Sequence, residues 1–145
     1  MVLLFKKINN DKYTKTIFEI NNDPFVRKYS VNSKRFSFEK HSKWLRKVLN
    51  GKIETIFVVM KKKSIIGLIR LKVKKNKNYL SWAVKQNHRG KNYGKKMLKM
   101  YVDVNKKKFF AKIKKNNIPS IKICEYAGFK KFRENSKFRY FVKLR

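Results

Sequence analysis

Three groups of residues in this chain have the types and spacing that chemistry uses. The first is Gln86-Asn87-His88-Arg89-Gly90-Lys91-Asn92-Tyr93-Gly94-Lys95-Lys96-Met97-Leu98, where an apolar run ends, a small-residue loop follows and a helical spacing begins. Gly90, Asn92 and Gly94 are residue types that tolerate positive φ or a close backbone approach. The loop can therefore turn its N–H groups inward, and the helix behind it adds the positive end of its dipole. Such a junction cradles a phosphate. Lys95 and Lys96 fall in the first helical turn, within reach of the same anion, although lysines in a chain with 41 Lys and Arg are ordinarily solvated. The second group is Asn117-Ile118-Pro119-Ser120-Ile121-Lys122-Ile123-Cys124-Glu125-Tyr126-Ala127-Gly128-Phe129, an Asn with a small hydroxyl residue three on, then a short amphipathic stretch closed by Gly-Phe. The third is a scatter of titratable groups, His41, His88, Glu54 and the single cysteine Cys124.

The elements that must position these groups follow from periodicity. Val2 to Ile8 reads as a strand, the Asn9-Asn10-Asp11 cluster as a turn and helix cap, and Lys12 to Ile20 as a short helix. Asn21-Asn22-Asp23-Pro24 reads as a breaker, leaving Phe25 to Tyr29 as a mixed apolar and basic segment. Phe38, His41, Trp44, Leu45, Val48 and Leu49 repeat at helical spacing behind Ser37 as N-cap, with Asn50-Gly51 as the stop. Thr55 to Met60, Ser64 to Val73 and Tyr79 to Val84 form a three-strand meander. A helix from Tyr93 to Val104, a strand from Phe109 to Ile113, a short helix from Ser120 to Ala127, and a hairpin of Phe129 to Arg133 with Phe138 to Leu144 complete the chain.

At 145 residues, 42% of them hydrophobic, the sequence has enough apolar material for one domain over residues 1–145. The formal charge of +33 invites a nucleic-acid reading, but the excess is mostly Lys alongside abundant Asn and Ile, the composition that AT-rich coding produces. Under either explanation the surface repels polycations and attracts polyanions in a salt-dependent way. A lone cysteine excludes an internal disulfide and suits a reducing compartment. The apolar run Met1 to Phe5 is too short for a secretory h-region, with its lysines on the wrong side, and no run reaches transmembrane length. The expectation is a cytoplasmic protein, a monomer or homodimer, with no membrane insertion and no metal.

Arg89-Gly90-Lys91-Asn92-Tyr93-Gly94, read with the Asn117 to Phe129 stretch and the order of elements, resembles the GNAT acetyltransferase superfamily. The first stretch is similar to that family's acyl-CoA pyrophosphate loop, with Asn92 standing where a Gly is usual; Asn visits the left-handed region readily enough to serve. The second is similar to its later cofactor motif, with the spacing from Asn117 to Gly128 kept. The resemblance implies an α/β fold of the α+β kind, a mostly antiparallel central sheet flanked by helices and splayed where acetyl-CoA enters. It implies a cofactor site of Trp82, Ala83 and Val84 on the splayed strand, Arg89, Gly90, Lys91, Asn92, Tyr93, Gly94 and Lys95 around the pyrophosphate, and Asn117 and Ser120 from the later motif. Backbone N–H groups of the splayed strand would polarise the thioester carbonyl.

The family's usual proton donor is a Tyr four residues before the Gly of Gly-Phe; here that place holds Cys124, which either donates to the departing thiolate or simply packs. Tyr126 lies on a different helix face and does not replace it. The attacking amine must be neutral, and His41 and Glu54 are the candidate bases; His41 beside Trp44 is equally suited to a structural place, and Glu54 to an exposed turn. Phe25 to Tyr29 and Ser37 to Leu45 are similar to the segments that line the acceptor pocket in GNAT enzymes acetylating nucleotide-linked amino sugars, which implies Arg27, His41 and Trp44 on the acceptor. The expected partner is an anionic small-molecule amine, with no specific nucleic acid. A protein N-terminal or ribosomal-protein acetyltransferase is the second expectation, since that branch also lacks the Tyr. A basic nucleic-acid-binding module on the same scaffold is the third. With only 8 Asp and Glu, polyamine and aminoglycoside acceptors are disfavoured.

Overall fold

The β-branched and aromatic residues of the middle of the chain alternate between two faces, and both faces become covered. In the computed structural model, which describes residues 2–145, the elements run β1 (Leu3–Lys7), α1 (Thr14–Asn21), α2 (Pro24–Tyr29), α3 (Phe38–Asn50), β2 (Glu54–Lys61), β3 (Ser64–Lys74) and β4 (Lys77–Val84). A 3₁₀ turn at Gln86–His88 follows, then α4 (Tyr93–Val104), β5 (Phe109–Lys114), α5 (Ile118–Tyr126), β6 (Lys130–Glu134) and β7 (Phe138–Lys143). The seven strands form one sheet in the order β1-β2-β3-β4-β5-β7-β6, antiparallel throughout except for the parallel pair β4–β5. This is the GNAT arrangement expected from the order of elements.

Alternation assigns each face its core. Val59, Ile69, Leu80, Phe109, Ala111, Ile113 and Phe141 meet Met97, Leu98 and Tyr101 of α4 and Ile121 and Cys124 of α5. On the other face Ile56, Val58 and Leu68 meet Ile17 and Ile20 of α1 and Leu45 of α3. The second cluster ends at β4, so the same face of β5, β7 and β6 lies beyond the helices. Met1 falls outside the described residues, and the first strand begins at Leu3.

One element differs in kind from the sequence reading. Asp23-Pro24, read there as a breaker, instead starts a helix: the Asp23 carboxylate accepts from the amides of Phe25 at 2.9 Å and Val26 at 3.3 Å, and Pro24 takes the first helical position, where its missing N–H costs nothing. The segment Phe25 to Tyr29 is therefore α2, making three helices between β1 and β2 where two were expected. α3 carries its Ser37 cap as read, the hydroxyl accepting from the Lys40 amide at 3.2 Å.

Candidate active site

The loop before α4 leaves its donors free. Gly90 has φ +78° and Asn92 φ +63°, both left-handed, so consecutive peptides turn their N–H groups toward one concave side. The first bond into the helix is Lys96 N–H to Asn92 O at 3.2 Å, and the Asn92 side chain makes no cap. The amides of Tyr93, Gly94 and Lys95 are therefore the orphan donors of the helix end. A Cβ at Gly90 would meet nothing within 4 Å, which leaves the crest open for a ligand to approach, whereas a Cβ at Gly94 would come within 2.5 Å of Ile123 Cδ1, so Gly94 also seats α4 against α5. Lys61 donates to the Tyr93 hydroxyl at 2.8 Å and pushes its pKa down. Burial, then the charges of Lys91, Lys85 and Lys61, hold His88 below its usual range. A helix end with free amides inside a cationic field suits a diphosphate.

The second feature is a gap in the sheet. β4 and β5 pair only at Asn78–Phe109 and Tyr79–Phe110, after which the strands separate. Lys85 N–H bonds Ile66 O at 2.7 Å, so Lys85, Ala83 and Ser81 direct their backbone groups to β3, and by alternation Trp82 and Val84 direct theirs into the gap. Gly67 lets β3 come close, since a Cβ there would lie 2.5 Å from Ala83 O. The Trp82 ring packs near Phe129 on the α4 side, its Nε1 buried with no partner among the described residues. Trp82, Ala83 and Val84 thus sit at the splay, with two of the three presenting unladdered amides.

Arg89 faces away from the phosphate cradle. Its Nε donates to Val84 O at 3.2 Å, its Nη2 to the Asp23 carboxylate at 3.0 Å, and its guanidinium lies over the Phe25 ring at 4.7 Å. It clamps the start of α2 to the end of β4, across a cleft of about 310 Å³ lined by Glu19, Ile20, Asp23, Lys85, Gln86 and Asn87. Asp23 and Glu19 went unassigned in the sequence. Asp23 was hidden in an Asp-Pro break, and its partner lies 66 residues away, so no local signal reports the pair.

A smaller pocket of about 70 Å³ lies between α2 and the sheet, lined among others by Arg27, Ser30, Arg70 and Ser81. Arg27 donates to the carbonyls of Asn32 and Lys34 and to Ser30 Oγ, and lies over Phe36 at 4.9 Å; Arg70 pairs with Glu54 at 3.2 Å and lies over Trp44 at 4.9 Å. The Nε of each arginine is buried without a partner among the described residues. Burial, then the neighbouring Arg70 charge, pushes Arg27 below its ordinary value. Arg70, missed in the sequence, is brought here by strand register, two residues along β3 from Leu68. Glu54 is committed to Arg70 through both oxygens. His41 is 2% exposed, caged by Phe18, Phe36 and Trp44, with Nε2 3.2 Å from Thr14 O and Nδ1 without a partner among the described residues; burial lowers its pKa. The geometry thus joins Arg27, Glu54, His41 and Trp44 into one aromatic and cationic cluster.

In α5, the Asn117 side chain accepts from Ser120 N–H at 3.2 Å and caps the helix behind Pro119. Cys124 is fully buried in the α4–α5 core, and burial, helped by Glu125, drives its thiol well above the usual range. Lys95 lies over the exposed Tyr126 ring at 5.5 Å. No group of three or more metal-ligating side chains occurs among the described residues.

The acetyltransferase (GNAT) domain family matches residues 3–130. Among solved structures, the spermidine N-acetyltransferase of Vibrio cholerae in complex with CoA and spermine superposes with a TM-score of 0.83 at 19% identity, over 98% of this chain and 95% of that one. The Campylobacter jejuni N-acetyltransferase PseH in complex with acetyl coenzyme A gives 0.77 at 18% identity, over 99% of each chain. RimL, a ribosomal L7/L12 alpha-N-protein acetyltransferase in complex with coenzyme A, gives 0.83 at 8%, over 99% and 94%. No curated protein matches by sequence. With the family shown over most of the chain, and with a helix end and a strand gap that fit a pyrophosphate and a pantetheine arm, the chain belongs to the GNAT acetyltransferase family and is an N-acetyltransferase using acetyl-CoA.

Proposed function

We propose that this enzyme acetylates the primary amine of an anionic small molecule, with a nucleotide-linked amino sugar as the leading acceptor. The observation that carries the reading is the pair Arg27 and Arg70 beside Ser81, two guanidiniums at one pocket with a single carboxylate, Glu54, paired to Arg70 alone and a buried Nε without a partner among the described residues on each. Such a pocket offers donors and positive charge, so it favours phosphate or carboxylate oxygens and penalises a polycation such as spermidine. A peptide N-terminus brings no anion to match it.

Within this reading the amides of Gly90 to Lys95 hold the cofactor pyrophosphate, while Asn117 and Ser120 support them by fixing the start of α5. The gap-facing amides of Trp82 and Val84 hold the pantetheine arm and polarise the thioester carbonyl as the amine attacks. Glu54 is a positioning residue that orients Arg70. His41 and Trp44 stand behind that pocket, His41 stacked on the Phe36 ring under Arg27 and Trp44 lying under Arg70. Cys124 packs, and the thiolate takes its proton from solvent.

The test is free-CoA release with a panel of nucleotide diphosphate amino sugars, N-terminal peptides of ribosomal proteins, and spermidine. A nucleotide amino sugar should have the highest kcat/KM, and Arg27→Ala and Arg70→Gln should each raise acceptor KM by about 10-fold or more while leaving acetyl-CoA affinity unchanged. Turnover of peptides or spermidine with no sugar turned over would reject the choice of acceptor.

A further inference from the structure

The face of β5, β7 and β6 left bare by α1–α3 carries an ordered set of rings and cations. Register places Tyr79, Phe110 and Val142 in one row across β4, β5 and β7, and Lys112, Tyr140 and Arg133 in the next row across β5, β7 and β6. Tyr79 and Phe110 lie 5.6 Å apart, and Phe110 and Phe132 5.9 Å, so three rings run in file across the sheet, with Phe132 53% exposed at its end. Cations stand over the rings: Lys77 and Lys108 over Phe110 at 5.2 and 5.4 Å, Lys112 over Phe138 at 4.3 Å, and Arg133 over Tyr140 at 4.0 Å. Neither hydrophobic cluster includes the residues of this face.

We propose that this face binds single-stranded nucleic acid without sequence preference, the bases stacking on the aromatic file and the phosphates running along the lysines and arginines beside it. The two components are those a single strand needs, since unpaired bases offer π-faces at intervals near the spacing of strands and the backbone offers regular negative charge. Charge complementarity selects the occupant. A second copy of a chain carrying +33 is repelled, and a duplex hides its base faces from the rings. The face meets α2 where Lys114 donates to Lys28 O at 3.1 Å, but none of its rings lines the Arg27 pocket or belongs to the loop before α4, so its binding of a single strand does not depend on the proposed acceptor.

Fluorescence anisotropy with a labelled 12-mer of oligouridylate, over a salt series, tests it. Binding should weaken with salt, and a 12-base-pair duplex should bind more weakly than the single strand despite its higher charge. Phe132→Ala and Tyr140→Ala should each weaken binding about 5-fold or more, while a triple Lys12→Gln, Lys15→Gln, Lys47→Gln variant, changed on and just before α1 and on α3 rather than on β5 to β7, keeps the preference for single strands. Acetyl-CoA binding of both aromatic variants should match the parent, which also reports folding. Independently of any variant, photocrosslinks from a 4-thiouridine oligomer should map to the β5 and β6–β7 peptides. Equal binding of duplex and single strand, aromatic variants that bind like the parent, crosslinks spread over the helices, or vesicles of phosphatidylserine bound through the same rings with no oligonucleotide selectivity would each overturn it.

Discussion

Cys124 shows how burial decides a residue's chemistry. A thiol enclosed between α4 and α5, its pKa raised by desolvation, is suited to packing rather than to proton donation. Cys124→Ala should therefore cost on the order of 1 kcal/mol of stability through a small cavity and change kcat by less than about 2-fold, measured by denaturant melts beside steady-state turnover. A 100-fold loss of kcat in a folded variant would restore the acid role. His41 makes the opposite use of burial. Its folded pKa lies below its ordinary value, so as pH falls the unfolded chain takes up the proton first. Its stabilising effect is complete above about pH 6.5 and is lost as pH falls toward the folded value. The melting temperature should fall between about pH 7.5 and about pH 5.5, and His41→Asn should flatten that fall more than His88→Asn does, since His88 is depressed in a more exposed place.

At the scale of elements, the site depends on how close β3 and β4 lie. Gly67→Ala places a methyl 2.5 Å from Ala83 O and 3.1 Å from Met97 Sδ, so the strand must move; the expected cost is about 1–3 kcal/mol together with weaker acetyl-CoA binding, read by thermal shift with and without cofactor. The loop offers a cleaner pair of variants. Asn92→Gly keeps φ near +63° and should keep the cofactor-induced shift, whereas the β-branched Asn92→Val should lose most of it. These elements were legible to different depths. The strands β2 to β4, α3 with its Ser37 cap and α4 with its left-handed start follow from periodicity and local turn chemistry, which act within a few residues. The helix α2 was not, because the same Asp-Pro pair ends one helix and begins the next. The Arg89–Asp23 clamp and the meeting of Arg27 with Arg70 depend on sheet register and helix docking, which no short window contains. The sequence reading accordingly located the left-handed loop before α4 and the strand that parts from β5, but not the residues that draw α2 down onto them.

The whole molecule is governed by its charge. Carboxylates are few, and one of them serves several cations: Glu134 meets Lys115, Lys131 and Arg139, and the hydrogen bonds from Lys131 and Lys115 pull its pKa down to about 2. The remaining positive charge repels itself, so raising NaCl from about 50 mM to about 500 mM should raise the melting temperature, the reverse of what a protein held by surface ion pairs would do. A fall in stability with salt would show that the ion pairs outweigh the repulsion. The sparse joint between β4 and β5 has a further consequence, for folding. The strands β2 to β4 are joined by tight turns and assemble from near neighbours along the chain, whereas β5 reaches the sheet only through a crossover and is stitched to it by two residue pairs. The molecule is then two folding units meeting along a weak seam, the second formed later and lost first. Native-state hydrogen exchange should resolve two tiers of protection in the free enzyme, and acetyl-CoA, by filling the seam, should merge them into one.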